Sequence, residues 1–320
     1  MKTGKKIFIS MLPPIITFAS VWLICVFKGV VLFETKLNAL TFFRSVANVS
    51  LVTYALSINL NSGRFDFSIG AIALLSSVLS VKIALLFSTG PWITLFLSVF
   101  FGFVFGLISG LIYVLVKLPP IIVSLAIALF YEGFAYTLTG GHGVSFANNA
   151  ALLGFSSVSN YLIITAAALI IMIFTFDFTK FGYEYKALQS GQKVSVNTGI
   201  REIPNALICY SIAGAFMGCQ GFISATTNGS IQMTLNFGSI SPMFMAFLPM
   251  FIGGYIGRFS NEKLGYLLGA VCSSLISLMY VRIDVTSSVQ QIISALLLVG
   301  FLIWLNNEGK LKSLFTGKKQ

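Results

Sequence analysis

Ten apolar stretches, each long enough for a helix to cross a bilayer, follow one another between residues 7 and 305. A spanning helix takes roughly 20 mostly apolar residues. The stretches fall at 7–32, 41–60, 66–88, 91–116, 120–139, 160–176, 205–226, 240–256, 264–281 and 287–305. No other feature constrains the fold as strongly, because a lipid-exposed backbone must satisfy its own N–H and C=O groups. The sequence therefore predicts an all-α integral membrane protein, a bundle of about ten transmembrane helices forming one domain over residues 1–320. Two stretches are atypical. Residues 41–60 begin with Arg44 and Asn48, and the short 240–256 stretch holds Pro242 and Pro249. Either is expected to be a broken or re-entrant helix.

Composition agrees. The chain is 57% hydrophobic and 9% charged, against roughly 25% charged in soluble domains. Its net charge of +11 would suggest nucleic acid in a soluble protein. Here the charges sit at the termini and in short loops, so no nucleic-acid partner is expected. The basic start, Met1 to Lys6, resembles a signal-peptide n-region, but the apolar run behind it is too long for one and reads as a retained first helix.

Lysine and arginine set the orientation. With a cytoplasmic N-terminus and ten spans, only Lys28, Lys36, Arg44, Lys82 and Arg282 fall outside the cytoplasmic set, which leaves 15 of the 20 basic residues inside. Loops 140–159 and 227–239 contain neither Lys nor Arg. Both termini are expected in the cytoplasm of a multi-pass protein of the bacterial plasma membrane.

Small residues at helical spacing predict close helix contacts: Gly102, Gly106 and Gly110 in the fourth stretch, and Gly214, Gly218 and Gly221 in the seventh. The four cysteines, Cys25, Cys209, Cys219 and Cys272, lie in apolar runs and form no CxxC pair. With His142 as the single histidine, neither a disulfide nor a metal site is expected. Catalytic motifs such as G-x-S-x-G and H-E-x-x-H are lacking, as is the G-x-x-x-x-G-K-[ST] phosphate loop, so neither enzyme chemistry nor a nucleotide cofactor is expected of this chain. Glu132 is the one carboxylate well inside a span. It is expected to pair with Arg44 or Lys82 or to lie near an interface. An ion-coupled carrier needs more ionisable groups in the membrane, which points to an energy source on another subunit.

The longest polar segment, 177–204, carries Phe181, Tyr185, Leu188 and Val196. It reads as short amphipathic helices on the cytoplasmic face, broken at Ser190–Gly191. A second polar junction, Asn61-Ser62-Gly63-Arg64, opens the third stretch. There Asp66 is expected to anchor the helix start by accepting free N–H groups, with Arg64 near enough in sequence to pair with it and Gly63 permitting a close approach.

Three patches, in this order, resemble permeases of the simple-sugar ABC importers, the ribose, xylose and galactoside type. The first is Gly63, Asp66, Ser68 and Gly70, similar to a T-[SG]-G-I-D-L-S-V-G motif. The second runs from Phe181-Gly182 through Ala187-Leu188 to Thr198-Gly199-Ile200. The third is Ile252-Gly253-Gly254 followed by Leu264-Gly265 and Leu268-Gly269-Ala270. The resemblance spans about residues 37–308. There are departures: one extra residue before Asp66, Gln189 and Ser190 in place of paired glycines, Gln192 for an acidic residue, Val196 for an arginine, and Ser260-Asn261 near a missing glycine pair.

The resemblance implies a permease subunit that performs no covalent chemistry. It implies a cytoplasmic ABC ATPase that binds the ATP and docks on 177–204 through Gly191, Gln192, Gly199 and Ile200, with Gly191 supplying a sharp bend. It further implies an extracytoplasmic solute-binding protein, a second permease copy or homologue, and helix packing at Gly253 and Gly254. The implied cargo is a small molecule: a sugar, or alternatively a nucleoside, another furanoside or a riboflavin-like solute. A secondary transporter or channel is the alternative of another class.

Overall fold

The computed structural model describes the backbone of residues 3–316 and the side chains of 10–307, so the side chains of Lys2, Lys5, Lys6 and Lys310–Lys319 lie outside the described residues. Helices α1 (Thr3–Phe27), α2 (Lys36–Asn61), α3 (Ser68–Phe87), α4 (Pro91–Val116) and α5 (Pro120–Thr139) come first. The short α6 (Ala150–Leu153), α7 (Val158–Asp177), α8 (Lys180–Ser190), α9 (Gln192–Asn197) and α10 (Glu202–Asn228) follow. The chain ends with α11 (Ser241–Met245), α12 (Phe247–Gly257), α13 (Glu262–Arg282) and α14 (Ser287–Thr316).

Among the described residues, ten helical segments are long and apolar enough to span, one of them being Gly238–Gly257. Large side chains such as Phe96, Phe130, Ile170 and Phe174 stand exposed on them, as lipid-facing residues do. Of the two stretches expected to break, only one does. Helix α2 is continuous through Arg44 and Asn48, and Asn48 donates to the Arg44 carbonyl at 3.2 Å. The Gly238–Gly257 span is a 3₁₀ turn (Gly238–Ile240), then α11 and α12, with the helix interrupted at Ala246. Pro249 has no N–H to offer the Met245 carbonyl one turn back.

The chain divides into two compact units, residues 1–38 with 247–320, and residues 39–246. In the first, α12 and α13 meet through glycines. A methyl group on Gly253 would sit 2.6 Å from the Tyr266 Cα, whereas one on Gly254 would find only the Tyr266 ring edge at 3.8 Å. Gly253 is thus a contact glycine and Gly254, expected to be its equal, is not. Arg282 bonds the Val31 carbonyl at 2.9 Å and pairs with Glu34.

In the second unit, α4 and α10 cross with their backbones touching. A side chain on Gly102 or Gly106 would run into the Gly214 or Tyr210 carbonyl of α10, and Gly110 lies against the Tyr210 side chain. Ser98 donates to the Gly218 carbonyl at 2.7 Å. The two glycine series of the sequence are therefore largely each other's partners. Gly221 is the exception, lying against Ala73 of α3. The two loops lacking Lys and Arg also meet, as antiparallel strands β1 (Val144–Ser145) and β2 (Ser230–Ile231).

Candidate functional site

A cavity of about 570 Å³ opens in the second unit between α3, the C-terminal half of α10 and residues 230–242. Its polar groups are amides and hydroxyls: Gln220, Ser224 and Asn228 from α10, Ser77 from α3, and Ser230, Gln232, Thr234 and Ser239 from the connecting segment. Leu74, Ile231 and Pro242 supply apolar wall, and no charged or aromatic residue is in the lining. Gln220, Ser224 and Asn228 are four residues apart, so one helical stripe presents all three. That spacing was readable in the sequence, where a polar stripe in an apolar helix marks a lined path. Gln220 also reaches Asn48 of α2 at 3.5 Å.

The third wall is held from behind. Glu132 on α5 is 0% exposed. Its two carboxylate oxygens accept the backbone N–H groups of Phe237, at 3.0 Å, and Ser239, at 2.8 Å. The expected pairing with Arg44 or Lys82 is not formed, and Lys82 instead donates to the Leu138 carbonyl at 2.6 Å. A sequence cannot announce a carboxylate whose partners are main-chain groups a hundred residues away. Asn236 and Phe237 have φ of 57° and 67°, a left-handed backbone costing about 1 kcal/mol per non-glycine residue. The Ser239 carbonyl rests on Gly70, where a Cβ would leave the carbonyl carbon only 2.8 Å away. Gly70 is needed for that approach.

The Asp66 junction lies just before α3. Asp66 is 2% exposed. Its Oδ1 accepts the Ser68 N–H at 2.8 Å and the Ser68 hydroxyl at 2.6 Å, and its Oδ2 accepts from Asn59 at 3.1 Å. Burial pushes its carboxyl up to about 6, against the opposing pull of the Ser68 and Asn59 hydrogen bonds. Arg64 does not pair with Asp66. It turns to Glu202 at 3.9 Å and to the Ser62 hydroxyl at 3.4 Å. Gly63 has φ +74° and open space around it, so it serves the turn and not the close approach expected of it.

Glu202 also accepts from Gln192 at 2.6 Å, so Arg64 and Gln192 meet at one carboxylate. This joins the Asp66 junction to the 177–204 segment, a link absent from the sequence reading. That segment forms α8 and α9, which meet at Gly191. Tyr185 of α8 is buried and donates to the Ile58 carbonyl at 3.0 Å, while Val196 is exposed. Gly191 has φ 176° and no crowding, so the bend does not require glycine. Gly199, with φ +96°, does have a glycine backbone, and Ile200 follows it, donating to the Ser195 carbonyl at 3.1 Å.

The family model described as "Branched-chain amino acid transport system / permease component" matches residues 39–305. The chain is 29% identical over 208 residues to the ribose import permease protein RbsC of Bacillus subtilis (strain 168), covering 63% of this chain and 64% of that relative. The chain thus spans under two thirds of the relative it matches. No solved structure matches. With a family match running through nine of the ten membrane-length segments and across the whole polar cavity, this multi-pass membrane protein belongs to the family of branched-chain amino acid transport system permease components.

Proposed function

We propose that the chain is the permease subunit of an ATP-driven importer and that the cavity passes a neutral, hydroxylated solute, a sugar of the ribose type. The carrying observation is the cavity lining of amides and hydroxyls without charge. A branched-chain amino acid brings an ammonium and a carboxylate, and burying either without a partner is costly. A sugar offers hydroxyls, which amides and hydroxyls satisfy as donors and acceptors. The ribose permease relative supports the same cargo.

In this reading a cytoplasmic ABC ATPase binds and hydrolyses ATP and docks on 177–204. An extracytoplasmic binding protein delivers the solute, and a second permease, identical or homologous, completes the path. Both termini are cytoplasmic, in keeping with the basic bias. Closure of the ATPase reaches α3 through Gln192, Glu202 and Arg64, and α3 carries one wall of the cavity.

The test compares uptake of radiolabelled D-ribose and L-leucine in cells producing the chain with an ATPase and a binding protein from the same organism. Saturable ribose uptake that needs both this chain and an active ATPase is expected, with leucine at background. Leucine uptake without ribose uptake overturns the assignment.

A further inference from the structure

We infer that Glu132 is a positioning residue for the cavity wall, fixing the turn that carries Ser239. The inference rests on the reading of that cavity as the solute path. Glu132 sits on α5 and is not part of the cavity lining. It acts one layer back, through the N–H groups of Phe237 and Ser239. Residues 236 and 237 are left-handed without being glycine, a conformation that persists where the surroundings impose it. A carboxylate accepting two N–H groups from one turn is such a constraint. The result is a wall element whose Ser239 is 8% exposed, with a buried hydroxyl that has no hydrogen-bond partner. Buried hydroxyls are normally paired. The Ser239 hydroxyl is closed off here, and only a shift of the turn would let it meet a solute hydroxyl, as donor and acceptor at once.

The arrangement also explains a carboxylate so close to an uncharged path. Both oxygens are engaged by main-chain donors, and Glu132 is outside the lining, so the carboxylate serves the turn and is withheld from the solute. Glutamine at 132 keeps the shape but has a single acceptor oxygen. Its amide nitrogen would face one of the two N–H groups, donor against donor, and the turn would lose half of its hold.

The experiment reads the turn without relying on transport. Single cysteines replace Ser239 or, as a control on α3, Ser77, in the chain from which the four native cysteines have been removed. Membranes are labelled with a maleimide reagent. With Glu132 present, the cysteine at 239 should react slowly. Glu132→Gln should speed its labelling at least fivefold and leave position 77 unchanged. Adding Asn236→Gly, which favours the left-handed backbone by itself, should restore at least half of the protection. Equal acceleration at both positions would show general loosening and overturn the inference, as would no acceleration at 239 or no rescue by Asn236→Gly. If Glu132→Gln does not accumulate in the membrane, Glu132→Asp is used with the same expected pattern. Failure of the ribose assignment with this pattern intact would leave the positioning role standing and change only the solute.

Discussion

Between Tyr210 and Gly218, α10 meets α4 backbone to backbone. Between Gln220 and Asn228, the same helix turns amide and hydroxyl groups toward a cavity. Past Tyr210, whose side chain lies against α4, the first half brings glycine against backbone, and the second is defined by its side chains. In a membrane, apolar burial gives little reason for helices to associate, so close backbone packing and hydrogen bonds take over. The glycine half uses both, including the Ser98 bond to the Gly218 carbonyl. The polar half leaves its groups available to something that passes. The contrast suggests that substitutions in one half should change how much protein there is, and substitutions in the other what it carries.

The largest effect is expected at the seam. Gly214→Val places branched carbon where the Gly102 carbonyl lies, an overpacking of on the order of 3 kcal/mol. Membrane abundance and thermal stability in detergent should both fall sharply. Wild-type abundance would show that the seam yields and would break the comparison. Gln220→Leu should act the other way. A lost solute hydrogen bond of about 1–1.5 kcal/mol means roughly tenfold weaker apparent affinity, measured as KM for uptake, at unchanged abundance.

Two smaller effects sharpen the same distinction at the polar junctions. Gly199→Ala forces a side chain into a left-handed backbone, costing about 1 kcal/mol, and should lower the melting temperature, whereas Gly191→Ala should leave it unmoved. Equal effects would mean that the bend at 191 matters more than its backbone angles indicate. At Asp66, replacement by Ala leaves the Ser68 and Asn59 donors buried without an acceptor, at about 2 kcal/mol. Replacement by Asn should cost under about 1 kcal/mol. Asn59 Oδ1 has no partner at present, so the Asn59 amide can turn over and accept from the new side chain. Chemical denaturation of the two variants in detergent separates them. Lost uptake at normal stability in Asp66→Asn would assign the carboxylate charge a role in gating.

The helices were legible because their signal is local. An apolar run of sufficient length declares itself whatever its neighbours do, and the break near Ala246 was signalled by Pro242 and Pro249. Arg44 misled, because a charge at a helix end reads as an interruption when its surroundings are unknown. The cavity was half legible: the spacing of Gln220, Ser224 and Asn228 is visible in one helix, but Gln232, Thr234 and Ser239 reach it from another segment. Glu132 and Arg64 were misassigned for one shared reason. Sequence proximity and opposite charge suggest partners, yet Glu132 chose main-chain N–H groups and Arg64 chose a carboxylate 138 positions on, at Glu202. Gly63 and Gly191 show the complementary error, since a glycine does not disclose whether it is there for space or for its angles.

The α4–α10 crossing has one more consequence. Where glycine meets backbone, no rotamers exist to be rearranged, so the contact has essentially a single way of fitting together. A seam of long side chains could slide by exchanging one set of rotamers for another, but this one has no intermediate fits. Over a transport cycle, α4 and α10 should therefore travel as a single stiff strut, and the compliance needed to open and close a path has to come from elements outside that seam.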